Sequence, residues 1–160
     1  MSDPNDVQKV AKLVKEFRFA MLTTTGPGDK LVARPMTVQE AEFDGDLWFI
    51  AARNSHTVTE LTSDPIVGVS FASNDTWVSL SGTAEVVEDS QKIGQLWNQW
   101  VEAWFPEGPD DPNTVLIKFT ADSAEYWDSP GGRIASVISL VKAKVTGQPF
   151  DGGDNSKVEL

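Results

Sequence analysis

Apolar and polar positions change period several times along the chain, and each change predicts an element. Asp3-Pro4 can cap and start a helix. Val7, Val10, Ala11, Val14 and Phe17 then follow helical spacing to about Glu16, with Lys9, Lys12 and Lys15 facing away. Phe19–Thr25 reads as a strand that ends at the turn Gly26-Pro27-Gly28-Asp29. Leu31–Val38 is a second β-like run. Phe43-Asp44-Gly45-Asp46 supplies hairpin chemistry before Leu47–Ala52, whose two apolar faces predict a central strand. Asn54 or Ser55 can cap a short helix through about Thr62, with Val58 and Leu61 on one side.

The second half continues the pattern. Pro65–Ala72 alternates through Val67, Val69 and Phe71, and after the Ser73-Asn74-Asp75 turn Thr76–Glu88 reads as a long strand. There Val78, Leu80, Gly82, Ala84 and Val86 share one face, with Trp77, Ser79 and Ser81 on the other. Gly82 marks a bulge or a close backbone approach. Asp89 or Ser90 can cap a helix to about Phe105, stopped by Pro106, with Ile93, Leu96, Trp97, Trp100, Val101 and Trp104 as its apolar stripe. After a Glu107–Pro112 loop come strands at Thr114–Thr120 and Ala124–Asp128, a break at Ser129-Pro130-Gly131-Gly132, and helical spacing from Ile134 to Val145. From Thr146 the Gly- and Asp-rich chain predicts a mobile tail, leaving residues 1–145 as one domain. Six or seven strands with three or four helices fit a small β-barrel with attached helices.

Composition narrows the function. At 160 residues the chain is long enough for a substantial core. Its 13 Lys and Arg against 24 Asp and Glu give a net charge of −11, which argues against nucleic acid and anionic membranes as partners. A phosphate ligand would need a local positive site in such a field. Lack of cysteine removes disulfides, thiolate catalysis and Cys-based metal sites, and one histidine makes a His-rich metal site a poor expectation. No leader-like segment and no apolar run of membrane-spanning length is visible, so a soluble cytoplasmic protein is the expectation.

Candidate chemistry gathers between Leu31 and Leu61. Arg34 shares a strand face with Val32, Met36 and Val38, which is costly unless an anion meets the guanidinium. Between Pro35 and Gln91 Arg53 is the only Lys or Arg, among ten carboxylates. It stands just before a helix start carrying His56, and a helix N-terminus offers unpaired donors and a positive dipole end. Arg34, Arg53, Ser55, His56 and Thr57 can therefore form a phosphate cradle. Equally, Arg34 can snorkel at a strand edge while Asn54 or Ser55 merely caps a helix. Ser79 and Ser81 can face a ligand or simply mark a solvated sheet face. The tryptophan stripe can stack on a planar ring or serve as core or subunit interface, and Gly131-Gly132-Arg133 can form an anion nest or only a turn.

Several stretches carry a family resemblance: A-R-P-M-T at Ala33–Thr37, W-F-I-A at Trp48–Ala51, N-S-H-T-V-T-E-L at Asn54–Leu61 and D-P-I-V-G-V-S-F at Asp64–Phe71. W-V-S-L-S-G-T-A-E at Trp77–Glu85, L-W-N-Q-W-V-E-A-W-F-P at Leu96–Pro106, A-E-Y-W-D at Ala124–Asp128 and V-E-L at Val158–Leu160 follow in order. The chain resembles the FMN-binding split-barrel proteins related to pyridoxamine 5'-phosphate oxidase, and within them the general stress proteins. That resemblance implies a mainly β (α+β) FMN-binding split β-barrel, a homodimer, and flavin in a groove between subunits. It implies that the Arg-Pro-Met strand and the second helix start hold the flavin and its phosphate. The implied cofactor-binding residues are Arg34, Pro35, Met36, Thr37, Ile50, Ala51, Arg53, Ser55, His56 and Thr57, with Ser79 and Trp104. Thr57 stands where the family usually has lysine, so a hydroxyl replaces a charge, and Arg53 is the candidate to compensate. FMN is the implied cofactor, with FAD or a deazaflavin as alternatives. No acid–base pair is evident near the groove, and no catalytic residue is assigned. The function expected is a flavin-dependent oxidoreductase linked to general stress; its rivals are a flavin carrier or sensor without turnover and a cofactor-free dimer that binds another ligand or a protein.

Overall fold

A computed structural model describes residues 4–39, 43–128 and 154–160. Helix α1 (Pro4–Val14) leads to β1 (Phe19–Thr25), β2 (Leu31–Thr37) and β3 (Asp46–Ala52). Next come α2 (His56–Ser63), β4 (Ile66–Ala72) and β5 (Thr76–Val87), then α3 (Ser90–Leu96), α4 (Gln99–Trp104), β6 (Thr114–Asp128) and β7 (Asp154–Glu159). All strand pairs are antiparallel, in the order β2-β1-β4-β5-β6-β3, with β7 added along β6. The result is a mainly β split barrel with attached helices.

The split lies between β2 and β3. The Gly45 turn does form, with φ +108° and the Asp44 carboxylate accepting from the Asp46 amide at 3.2 Å. It does not make the expected hairpin, because β2 and β3 occupy opposite ends of the strand order. They approach where the Gln39 amide donates to the Trp48 carbonyl at 3.4 Å. Nor is β3 central: among the described residues its one ladder is with β6. Its second apolar face is explained by helices. Leu47, Phe49 and Ala51 enter the main core, whereas Ile50 and Trp48 pack with Ile93, Leu96, Val101 and Leu116 beneath α3 and α4. Burying a side chain as completely as Phe49 contributes about 1.5–3 kcal/mol.

Three other expectations change. The helix predicted from Asp89 to Phe105 is two helices. At the junction Asn98 is extended and its side chain accepts from the Trp100 and Val101 amides at 2.9 and 3.1 Å, restarting the helix as an N-cap. The strands expected at Thr114–Thr120 and Ala124–Asp128 are one, continued through a bulge. Ser81 pairs with Ser123 and Gly82 with Ala121, leaving Asp122 as the extra residue. A Cβ at Gly82 would overlap the Thr120 carbonyl oxygen, so the close approach anticipated at this glycine is real. Finally, the end of the chain is a strand where a tail was expected: Asp154–Glu159 pairs with Ser123–Asp128, and Val158 joins the core. The tail's first residues, the Asp3 cap, the Gly131-Gly132-Arg133 turn and the helix expected from Ile134 to Val145 lie outside the described residues.

Candidate functional site

The two unzipped strands border a cleft of about 400 Å³. β2 contributes Pro35, Met36 and Thr37, and Gln39 follows; β3 contributes Ile50, Ala51 and Ala52. Ser55 and Thr57 enter from the start of α2, Val101, Trp104 and Phe105 from α4 and its end, and Phe19 from β1. The size suits a small-molecule ligand.

Its lining mixes polar and apolar groups according to the element each comes from. Ser55 is extended, and its hydroxyl accepts from the Val58 amide at 3.3 Å, which fixes the start of α2. Thr57 sits in the first turn, 9% exposed, and its hydroxyl makes no hydrogen bond among the described residues. Donors of the first helical turn therefore collect at this end. Met36, Ile50, Val101, Trp104 and Phe105 supply apolar wall elsewhere. Gln39, 4% exposed, donates to the Thr37 carbonyl at 3.3 Å and accepts from the Asn98 amide group at 3.2 Å. The residue that caps α4 thus also ties that helix to the end of β2. Among the described residues no charged side chain lines the cleft.

Eight of the twelve residues singled out from sequence meet here: Pro35, Met36, Thr37, Ile50, Ala51, Ser55, Thr57 and Trp104. The other four do not. Arg34 finds its anion inside the protein, with Nη2 2.6 Å from Glu60 Oε2 and Nη1 donating to Thr24 Oγ1 at 2.6 Å and the Leu22 carbonyl at 3.4 Å. The Thr24 hydroxyl in turn donates to Glu60 at 2.6 Å. That bond lowers the Glu60 pKa below its ordinary value of 4.5; burial opposes the shift, and the Arg34 hydrogen bond and the Arg34 and His56 charges reinforce it. Arg53 pairs with Glu88 and donates through Nε to the Pro112 carbonyl at 3.1 Å, so it does not supply the charge that Thr57 lacks. His56 is exposed and is not among the lining residues. Ser79 lies on the open sheet face with Ser81, Ser123 and Lys157.

The tryptophans likewise divide. Trp97 packs edge-on to Phe105 with centroids 6.5 Å apart, Trp100 carries the Arg18 guanidinium 4.6 Å above its ring, and Trp104, 77% exposed, reaches the cleft. Phe19, Gln39, Ala52, Val101 and Phe105 line the cleft without having been anticipated. Gln39 directly follows the β2 run, but nothing local marks a glutamine as buried. Among the described residues no group of three His, Asp or Glu side chains could hold a metal ion, and no helix is long and apolar enough to cross a membrane.

Residues 5–151 match the family described as pyridoxamine 5'-phosphate oxidase like. Protein bli-3 of Neurospora crassa is 28% identical over 155 residues, covering 89% of this chain and 74% of its own length. The solved structure of a candidate general stress protein 26 from Jannaschia sp. CCS1 superposes with a TM-score of 0.80 at 25% identity, covering 99% of this chain and 100% of that one. For the general stress FMN/FAD binding protein of Xanthomonas citri the TM-score is 0.66 at 33% identity, over 76% of this chain and 87% of that one. With the barrel and nearly the whole length in common, this chain belongs to the pyridoxamine 5'-phosphate oxidase-like family, among its general stress proteins.

Proposed function

We propose that the cleft binds a flavin, FMN first and FAD second, and that the protein is a flavin-dependent oxidoreductase acting in a stress response. The observation that carries this reading is the cleft's mixed lining: apolar Met36, Ile50, Val101, Trp104 and Phe105 suited to a fused ring, and Ser55, Thr57 and the first-turn amides of α2 suited to a phosphate. The donor set fits the group, although its phosphate end is neutral. The 33% identical Xanthomonas citri protein is named for FMN/FAD binding, which supports the same reading here. A bound flavin brings its own electron chemistry. The chain's part is to hold the phosphate end on α2, orient the ring against Met36 and Ile50, and keep water off one side with Val101 and Trp104. FMN incubation followed by removal of excess should leave a stoichiometric flavin absorption band, and NAD(P)H oxidation assays then test turnover. A colourless protein would refute the flavin site.

A homodimer belongs to the same reading. Phe19 and Met21 of β1, Ile66 of β4, Trp77 of β5 and Trp127 of β6 are all 40% or more exposed on one sheet face, interspersed with Ser70, Ser79 and Ser81. Phe19 belongs to both this face and the cleft, so a second copy covering the face would also wall the cleft. Such an interface commonly buries roughly 2,000 Å² or more. Light scattering showing only monomer at micromolar concentration would refute it. A carrier or sensor without turnover is the second reading, favoured by the lack of a titratable side chain among the described lining residues.

A further inference from the structure

We infer that Arg34 is a positioning residue and not a phosphate ligand: with Glu60 and Thr24 it forms a strut that sets the spacing between the two walls of the cleft. The inference rests on the flavin reading above. Arg34 immediately precedes Pro35, Met36 and Thr37, the β2 wall, while Glu60 lies in the helix whose first turn presents Ser55 and Thr57. The bond between them joins the strand carrying one wall to the helix carrying the other.

The geometry leaves little of the guanidinium for a ligand. Nη2 is committed to Glu60, and Nη1 to the Thr24 hydroxyl and the Leu22 carbonyl. The two side chains are only 18% and 11% exposed, so solvent competes weakly and the short contacts hold a defined spacing. Thr24 anchors the pair because β1 is laddered to both β2 and β4. Space is shaped for the carboxylate as well: a Cβ on Gly26 would lie 3.2 Å from Glu60 Oε1. The groups in electrostatic contact with Glu60 are Arg34 from β2, Thr24 from β1 and His56 from its own helix, and they favour its ionised form.

The rival arrangement, in which Arg34 turns to the phosphate and Glu60 merely competes for it, predicts the opposite sign for one substitution. FMN and riboflavin, which lacks the phosphate, are titrated against the full chain and against Glu60→Gln, which keeps the volume and removes the charge. If the pair is a strut, both flavins weaken by the same factor, roughly ten- to a hundredfold as for a misplaced binding wall. The visible band of the bound flavin at saturation also shifts, which a role in folding alone would not produce. If Arg34 is a phosphate ligand, Glu60→Gln tightens FMN and leaves riboflavin unchanged, and the inference is overturned. Should Glu60→Gln unfold, Arg34→Met/Glu60→Met removes both charges with apolar replacement. The strut requires its FMN-to-riboflavin affinity ratio to equal that of the unsubstituted chain, and a fall in that ratio overturns it. Failure of the unsubstituted chain to bind either flavin refutes the flavin site itself, whereas binding with an altered ratio refutes only the strut.

Discussion

Thr57→Lys is the sharpest test of the phosphate end. The position lies in the first turn of α2, faces the cleft, and has a hydroxyl with no hydrogen-bond partner among the described residues. No charged side chain lines the cleft among those residues, and Arg34 and Arg53 are paired with Glu60 and Glu88. An ammonium here would therefore be the cleft's one described cation. A charge-assisted contact to phosphate is worth about 1.5–3 kcal/mol, or roughly ten- to a hundredfold in affinity. Two costs act against it: Thr57 is 9% exposed, so the lysine loses hydration, and no carboxylate lines the cleft among the described residues. The expected net gain is thus about tenfold for FMN and none for riboflavin, shrinking as salt rises. Calorimetric titration of both flavins at low and high salt reads this directly. Without ligand the variant should melt lower than the parent, and saturating FMN should recover the loss, since ligand bound only to the folded state stabilises it. Equal tightening of FMN and riboflavin, or no change in either, would refute the placement of the phosphate at α2.

Three further outcomes are expected. Glu60 has a lowered pKa, so its contribution to stability is complete above the ordinary value of 4.5 and is lost as pH falls below that through the folded-state value; thermal melts of Glu60→Gln should show a shallower decline on acidification than the parent. Gly82→Ala places a methyl against the Thr120 carbonyl and the Ala121 Cα, backbone that cannot step aside, and denaturant melts should show a loss of about 1–3 kcal/mol or more. Asn98→Ala removes the α4 cap and the partner of Gln39 together, at about 1 kcal/mol for the cap, and should weaken flavin binding beyond what its melting temperature implies.

How far the sequence exposes this architecture depends on whether the deciding force is local. The alternation in β5 is set by neighbours two residues apart, and its inward row of Val78, Leu80, Gly82 and Ala84 matches the reading of the chain. Ser55 capping α2 is likewise a contact over three residues. β3 shows where local reading stops: two apolar faces suit a central strand or an edge strand covered by helices, and the choice was made by Ile93, Leu96 and Val101, some 40 to 50 residues away. The Asn98 break and the joined β6 turn on single polar side chains and one extra residue, which periodicity averages over.

Arg34 carries the same lesson into the site. Its strand face correctly demanded an anion, since a guanidinium among apolar neighbours is too costly alone. Which anion it meets is a tertiary matter, decided by Glu60 arriving from α2 and Thr24 from β1. Both residues were visible in the chain, but nothing in their own segments points to Arg34. The consequence is electrostatic: with Arg34 satisfied internally and Arg53 by Glu88, the described lining would meet the proposed phosphate with neutral donors only, within a chain of net charge −11. Affinity at such a seat comes from well-placed amides and hydroxyls together with apolar contact along the ring. On the flavin reading, Ser55, Thr57, Ile50 and Met36 are then the residues that would touch the ligand, and Arg34 acts on affinity only through the spacing of the walls.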